Sequence, residues 1–112
     1  MSPVLTPTLL DPIAETLELS ETELGRLFGV SRQAVGQWRE RGVPSNRMAK
    51  VATVAAVCDL LQHRLKAERI PGIARRPARA YGGLSMLEMI ARDRQDELQT
   101  KVRRSFDWAT NP

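Results

Sequence analysis

Few side chains in this 112-residue chain can do covalent or metal chemistry. Cys58 and His63 are its single thiol and single imidazole. On a helix they stand about 140° apart around the axis, which prevents a shared metal ion. One of each cannot assemble a multi-ligand Cys/His zinc site, so no catalytic residue, metal, cofactor or small-molecule substrate is expected. The lone cysteine rules out a disulfide framework and fits a reducing compartment. Cys58 reads as a small apolar core residue and His63 as a surface residue. A different chemistry lies in Ser31, Arg32, Gln33 and Gln37. The two glutamines fall one turn apart on one helical face, and each amide pairs a donor with an acceptor as an adenine edge requires. Arg32 suits a guanine or a phosphate, and Ser31, at a helix start, offers a hydroxyl and a backbone N–H to a phosphate. Gly36 gives up about 1 kcal/mol of helix propensity relative to Ala, and as the residue facing a groove it removes a side chain that would meet a base edge.

The elements that must position these groups all carry a helical hydrophobic period. No stretch alternates like a strand, so the fold class is all-α. Asp11 with Pro12 behind it reads as the N-cap of a first helix with Ile13 and Leu17 inward. Ser20-Glu21-Thr22-Glu23 is a capping box opening a second helix through Leu24, Leu27 and Phe28 to Gly29. Ser31 caps a third, Arg32 to Arg41, which stops at Gly42. A fourth runs from about Asn46 to Lys66, on the order of 30 Å. Its Val51, Val54, Cys58, Leu61 and Leu65 form a seam two heptads long, which suits either a dimer contact or packing within the chain. Prolines and glycines between Arg69 and Gly83 read as a linker. Ser85 and Glu88 form a second capping box, with Leu87 and Ile90 inward, and a last helix after Asp93 carries Leu98, Val102 and Phe106. The expected division is a helical domain over 10–68, a basic linker over 69–83 and a small helical segment over 84–110.

Seventeen Lys and Arg against thirteen Asp and Glu give a net charge of +4, but the distribution is uneven. Residues 1–30 hold one basic and five acidic side chains, residues 31–83 eleven against three, and residues 84–112 five of each. A net +8 confined to the middle points to a polyanion-facing surface, because a partner feels the local potential. Arg47 and Lys50 are placed to clamp phosphates. The run Arg75-Arg76-Pro77-Ala78-Arg79 is either a solvated linker or an arm along a nucleic-acid backbone. At 42% hydrophobic and 27% charged residues the composition is globular. No apolar run approaches the ~20 residues of a membrane span and no secretory signal opens the chain, so a cytoplasmic location without membrane contact is expected.

The stretch Gly29-Val30-Ser31-Arg32-Gln33-Ala34-Val35, followed by Trp38 and Arg41-Gly42-Val43-Pro44, resembles the helix-turn-helix of Cro/C1-type (Xre) regulators. The resemblance covers roughly residues 10–66. Gly25 supplies the small residue where the two helices meet, and Leu24, Phe28, Val30, Val35 and Trp38 supply the anchors. It implies that the helix from Ser31 to Arg41 enters a DNA major groove, with Ser31, Arg32, Gln33, Gly36, Gln37, Arg39, Arg41, Arg47 and Lys50 as the DNA-binding set. Many relatives carry Gln at the first position of the second helix; this chain has Glu21.

The C-terminal third, Gly82-Gly83-Leu84-Ser85-Met86-Leu87-Glu88-Met89-Ile90 and then Phe106-Asp107-Trp108-Ala109, resembles the toxin-binding domain of Xre/MbcA/ParS-type antitoxins over about residues 70–110. That likeness implies a RES-type, NAD-consuming toxin as partner, with Phe106 and Trp108 as anchors. A glycine common at the turn between the last two helices of relatives is missing between Asp93 and Glu97. The expected protein is a DNA-binding antitoxin-like repressor, a homodimer because paired half-sites multiply specificity. The alternatives are a stand-alone phage- or plasmid-type repressor whose C-terminal helices only dimerise, and a protein-binding module with a vestigial helix-turn-helix.

Overall fold

A computed structural model describes residues 9–110, with side chains through residue 107. Among the described residues every regular element is helical: α1 (Leu10–Leu17), α2 (Glu21–Phe28), α3 (Arg32–Arg41), α4 (Ser45–Arg64), α5 (Ile70–Arg75), α6 (Met86–Ala91) and α7 (Gln95–Thr110). Short 3₁₀ turns at Ala67–Arg69 and Arg79–Tyr81 flank α5. The all-α expectation therefore holds. No helix among the described residues is long and apolar enough to cross a membrane.

The local sequence signals act largely as read. Ser20 Oγ accepts from the Glu23 amide at 3.1 Å while Glu23 Oε1 accepts from the Ser20 amide at 2.9 Å. Gly29 ends α2 at φ +69°, a conformation most L-residues avoid. The second box repeats the arrangement: Ser85 Oγ and the Glu88 carboxylate satisfy each other's backbone amides at 3.1 and 2.8 Å. One boundary differs. Helix α1 starts at Leu10, with Leu9 at the cap position and no side-chain cap. Asp11 lies in the first turn instead, where its carboxylate engages Arg39 of α3.

Helix α4 is the spine, packing against α1 and α7. Val51, Val54, Val57, Cys58 and Leu61 are each at most 2% exposed, and Leu65 is partly buried just beyond the helix end. The heptad seam thus packs within the chain. Burial pushes the Cys58 thiol up to about 12, so it stays protonated and unreactive at neutral pH.

The stretch expected to be a linker is folded. Helix α5 occupies Ile70–Arg75, and Ile70 and Ala74 are buried in the common core. Pro71 causes no break because it sits in the first turn, where no partner awaits its missing N–H. Arg75 fastens the helix in place by donating to the carbonyls of Leu17 and Glu18, both at 2.8 Å, at the C-terminal end of α1. Beyond it, Gly82 and Gly83 adopt φ +65° and +88°, and Ala78 and Leu84 close the loop with an N–H···O bond of 3.1 Å. Met86, Met89, Ile90, Leu98 and Val102 join Leu10, Ile13, Leu24 and Phe28 in one hydrophobic cluster. Leu87, expected inward, is only partly buried.

Candidate nucleic-acid interface

The interface is built on the pair α2–α3. Gly25 lies where the two helices approach: a Cβ there would stand 2.6 Å from the Val30 carbonyl oxygen and 3.2 Å from that of Ser31. Only a glycine admits the chain that leads into α3. Val35 is fully buried and Trp38 nearly so; the Trp38 ring meets Phe28 with centroids 6.0 Å apart, tilted by 58°, a favoured aromatic geometry. Trp38 is a core residue. Val30 is partly buried against the same cluster. Those anchors bury one face of α3 and leave Ser31, Arg32, Gln33, Gln37 and Arg41 exposed.

At the start of α3, Ser31 Oγ accepts from the Ala34 amide at 3.1 Å. That bond leaves the hydroxyl proton free to donate outward, next to the unpaired amides of a helix N-terminus. The side chains of Arg32, Gln33, Gln37 and Arg41 make no hydrogen bond or ion pair among the described residues. Open space surrounds the position a Cβ would take at Gly36; nothing within the chain requires a glycine there.

Three other cations of the expected set are engaged within the chain. Arg39 Nε donates to Glu21 Oε1 at 2.9 Å, and its Nη1 pairs with Asp11 Oδ1. Arg47 Nη1 donates to the Phe28 carbonyl at 2.7 Å, satisfying an orphan acceptor at the C-terminal end of α2. Lys50 lies 2.7 Å from Asp93 Oδ1 with its side chain only 13% exposed, and its Nζ lies 5.7 Å from the Phe28 ring centroid. The sequence pattern placed these cations near α3 but could not show that acids and carbonyls distant in the chain already hold them. Glu21, at the first position of α2, is the carboxylate that Arg39 Nε engages. The turn between α6 and α7 holds Asp93 at φ +62°, a region that Asp tolerates better than most residues, with Lys50 on its carboxylate.

Hydrogen bonds from Ser20, backbone first and then side chain, hold the Glu23 carboxyl below its ordinary 4.5. The Lys50 hydrogen bond and charge hold Asp93 below 3.8. A depressed carboxyl contributes stability at neutral pH that is lost as pH falls through its folded value. The melting temperature should therefore drop below about pH 4, and Lys50→Met, which removes Asp93's partner, should make that acid-side drop smaller. Parallel acid profiles for the two proteins would refute the Lys50–Asp93 assignment.

Of the expected partner anchors, Phe106 is half-buried on α7, with the Arg64 guanidinium 5.7 Å from its ring centroid. With Leu60, His63, Arg64 and Arg103 it lines a groove of about 410 Å³ between the ends of α4 and α7. The Trp108 side chain lies outside the described residues. No cluster of three or more His, Cys, Asp or Glu suited to a metal occurs among the described residues. Arg76 and Arg79 are exposed on the folded segment after α5. Comparisons with protein-family models, with curated proteins and with solved structures find no match to this chain.

Proposed function

We propose that the protein is a sequence-specific double-stranded-DNA-binding regulator that presents α3 to the major groove. The observation that carries this reading is the division of α3 into two faces. Val35 and Trp38 are buried, while Gln33, Gln37 and Arg32 project unpaired beside an open Gly36. Gln33 and Gln37 read base edges, Arg32 and Arg41 contact a base or a phosphate, and Ser31 binds a phosphate at the helix start. A homodimer supplies the second half-site. An enzymatic role is not proposed.

For the C-terminal third we propose capture of a RES-type toxin, with Phe106 and Trp108 as anchors, as the resemblance to Xre/MbcA/ParS-type antitoxins implies. The groove beside Phe106 is the place at which such a partner would dock; the alternative is a stand-alone repressor whose C-terminal helices only dimerise.

Selection from a random duplex library, followed by mobility shifts across salt concentrations, tests the first part. The protein should enrich a sequence and lose affinity steeply with salt; no enrichment would refute it. Co-expression with a RES-type toxin tests the second: the intact chain should restore growth and Phe106→Ala/Trp108→Ala should not. Truncation after Tyr81 is a poor substitute, because it removes the buried Met89, Ile90, Leu98 and Val102.

A further inference from the structure

Arg39 belongs to the helix proposed to enter DNA, yet its side chain reaches back to α1 and α2. Gln33 and Arg39 stand about 120° apart around the helix axis, which places Arg39 at the polar margin of the face that buries Val35 and Trp38. Its side chain is 28% exposed, and it meets two carboxylates from two other helices: Glu21, the first residue of α2, and Asp11, in the first turn of α1. The guanidinium is planar, and its Nε and Nη1 donate in fixed directions. One side chain therefore ties α1, α2 and α3 together with directional bonds. The apolar anchors Val35 and Trp38 hold α3 against the core, but hydrophobic contact does not specify direction.

Electrostatics makes the arrangement informative. Two carboxylates around one guanidinium leave a net negative charge beside a surface read as facing phosphates, which opposes association with DNA. If Arg39 served only to attract DNA, its two acidic partners would defeat the purpose. We infer that Arg39 is a positioning residue: clamped by Asp11 and Glu21, it sets the angle at which α3 presents Gln33 and Gln37, and it contacts no phosphate itself. The inference rests on the DNA-binding reading of α3.

Three variants test it, each measured on the duplex that the unaltered protein selects and on a scrambled duplex of equal length. Arg39→Ala should reduce discrimination between the two at least tenfold while leaving the salt dependence of binding unchanged. Asp11→Asn/Glu21→Gln raises the net charge by two, so it should strengthen binding to the scrambled duplex while also reducing discrimination. Arg39→Lys should keep the melting temperature of the unaltered protein but only part of its discrimination, because an ammonium lacks the planar fork that joins both carboxylates. A log–log salt slope shallower by about 0.9 in Arg39→Ala, with both duplexes weakened alike, would mark a phosphate contact and overturn the inference. Unchanged discrimination in Arg39→Ala, greater discrimination in the double variant, or full recovery by Arg39→Lys would do the same. If the unaltered protein selects no sequence, the DNA-binding reading fails and the inference falls with it; selection without an Arg39 effect defeats the inference alone.

Discussion

Gly25→Ala lowers the melting temperature by roughly 10 °C and releases α3 from its packed position. The added methyl carbon would stand 2.6 Å from the Val30 carbonyl oxygen, with the Ser31 carbonyl group 3.2–3.3 Å away. These are backbone atoms, so no side chain can rotate out of the way, and the turn between α2 and α3 must move. The same turn carries an N–H···O bond of 2.8 Å from Val30 to Gly25, which the movement weakens. Overpacking of this kind costs about 1–3 kcal/mol, and about 2 kcal/mol corresponds to roughly 8–16 °C in a domain of this size. Gly36→Ala is the internal control. It makes the same chemical change in an adjacent helix, but its Cβ enters open space, so the gain of up to about 1 kcal/mol in helix propensity should leave the melting temperature unchanged or higher. Equal melting temperatures for Gly25→Ala and Gly36→Ala would contradict the close approach of α2 and α3.

The elements most legible in the sequence are those whose stabilising groups lie within four residues. Both capping boxes, the glycine end of α2 and the Ser31 cap are local devices, and the residues that make them stand together. The inward faces of α2, α3 and α4 were legible for a related reason: burial follows the helical period, as Leu24, Val35 and Val54 show. Helix α5 was hidden because its six residues are too few to display a period, and Pro71-Gly72 reads as a break unless the proline is known to fall in the first turn. The candidate site divides in the same way. The exposure of Gln33 and Gln37 follows from the register of α3, so the sequence sufficed. The engagement of Arg39, Arg47, Lys50 and Arg75 depends on Asp11, Phe28, Asp93 and Leu17, all more than eighteen positions away, and no local pattern announces such contacts. A signal was nevertheless present. Glu21, an acid at the first position of α2, called for a cationic partner, and Arg39 is that partner. The concentration of charge in the middle of the chain overstated the surface available to a polyanion, because several of its cations serve the fold.

Gln33→Ala/Gln37→Ala removes sequence discrimination while leaving the fold intact. Both side chains are exposed and unpaired among the described residues, and Ala is the better helix former, so stability should change by no more than about 0.5 kcal/mol. Each bidentate contact between an amide side chain and an adenine contributes about 1–3 kcal/mol of discrimination. Losing two reduces specificity on the order of 100-fold or more, with allowance for coupling between neighbours. Neither residue is assigned to a phosphate, so the salt dependence should not move. The most direct measurement is the ratio of affinities for the selected duplex and for a scrambled duplex of equal length, at one salt concentration, for the unaltered protein and the double variant. The predicted result is a large ratio that falls toward one in the variant, with scrambled-duplex affinity and melting temperature preserved. A ratio that survives both substitutions would contradict the placement of α3 in the groove.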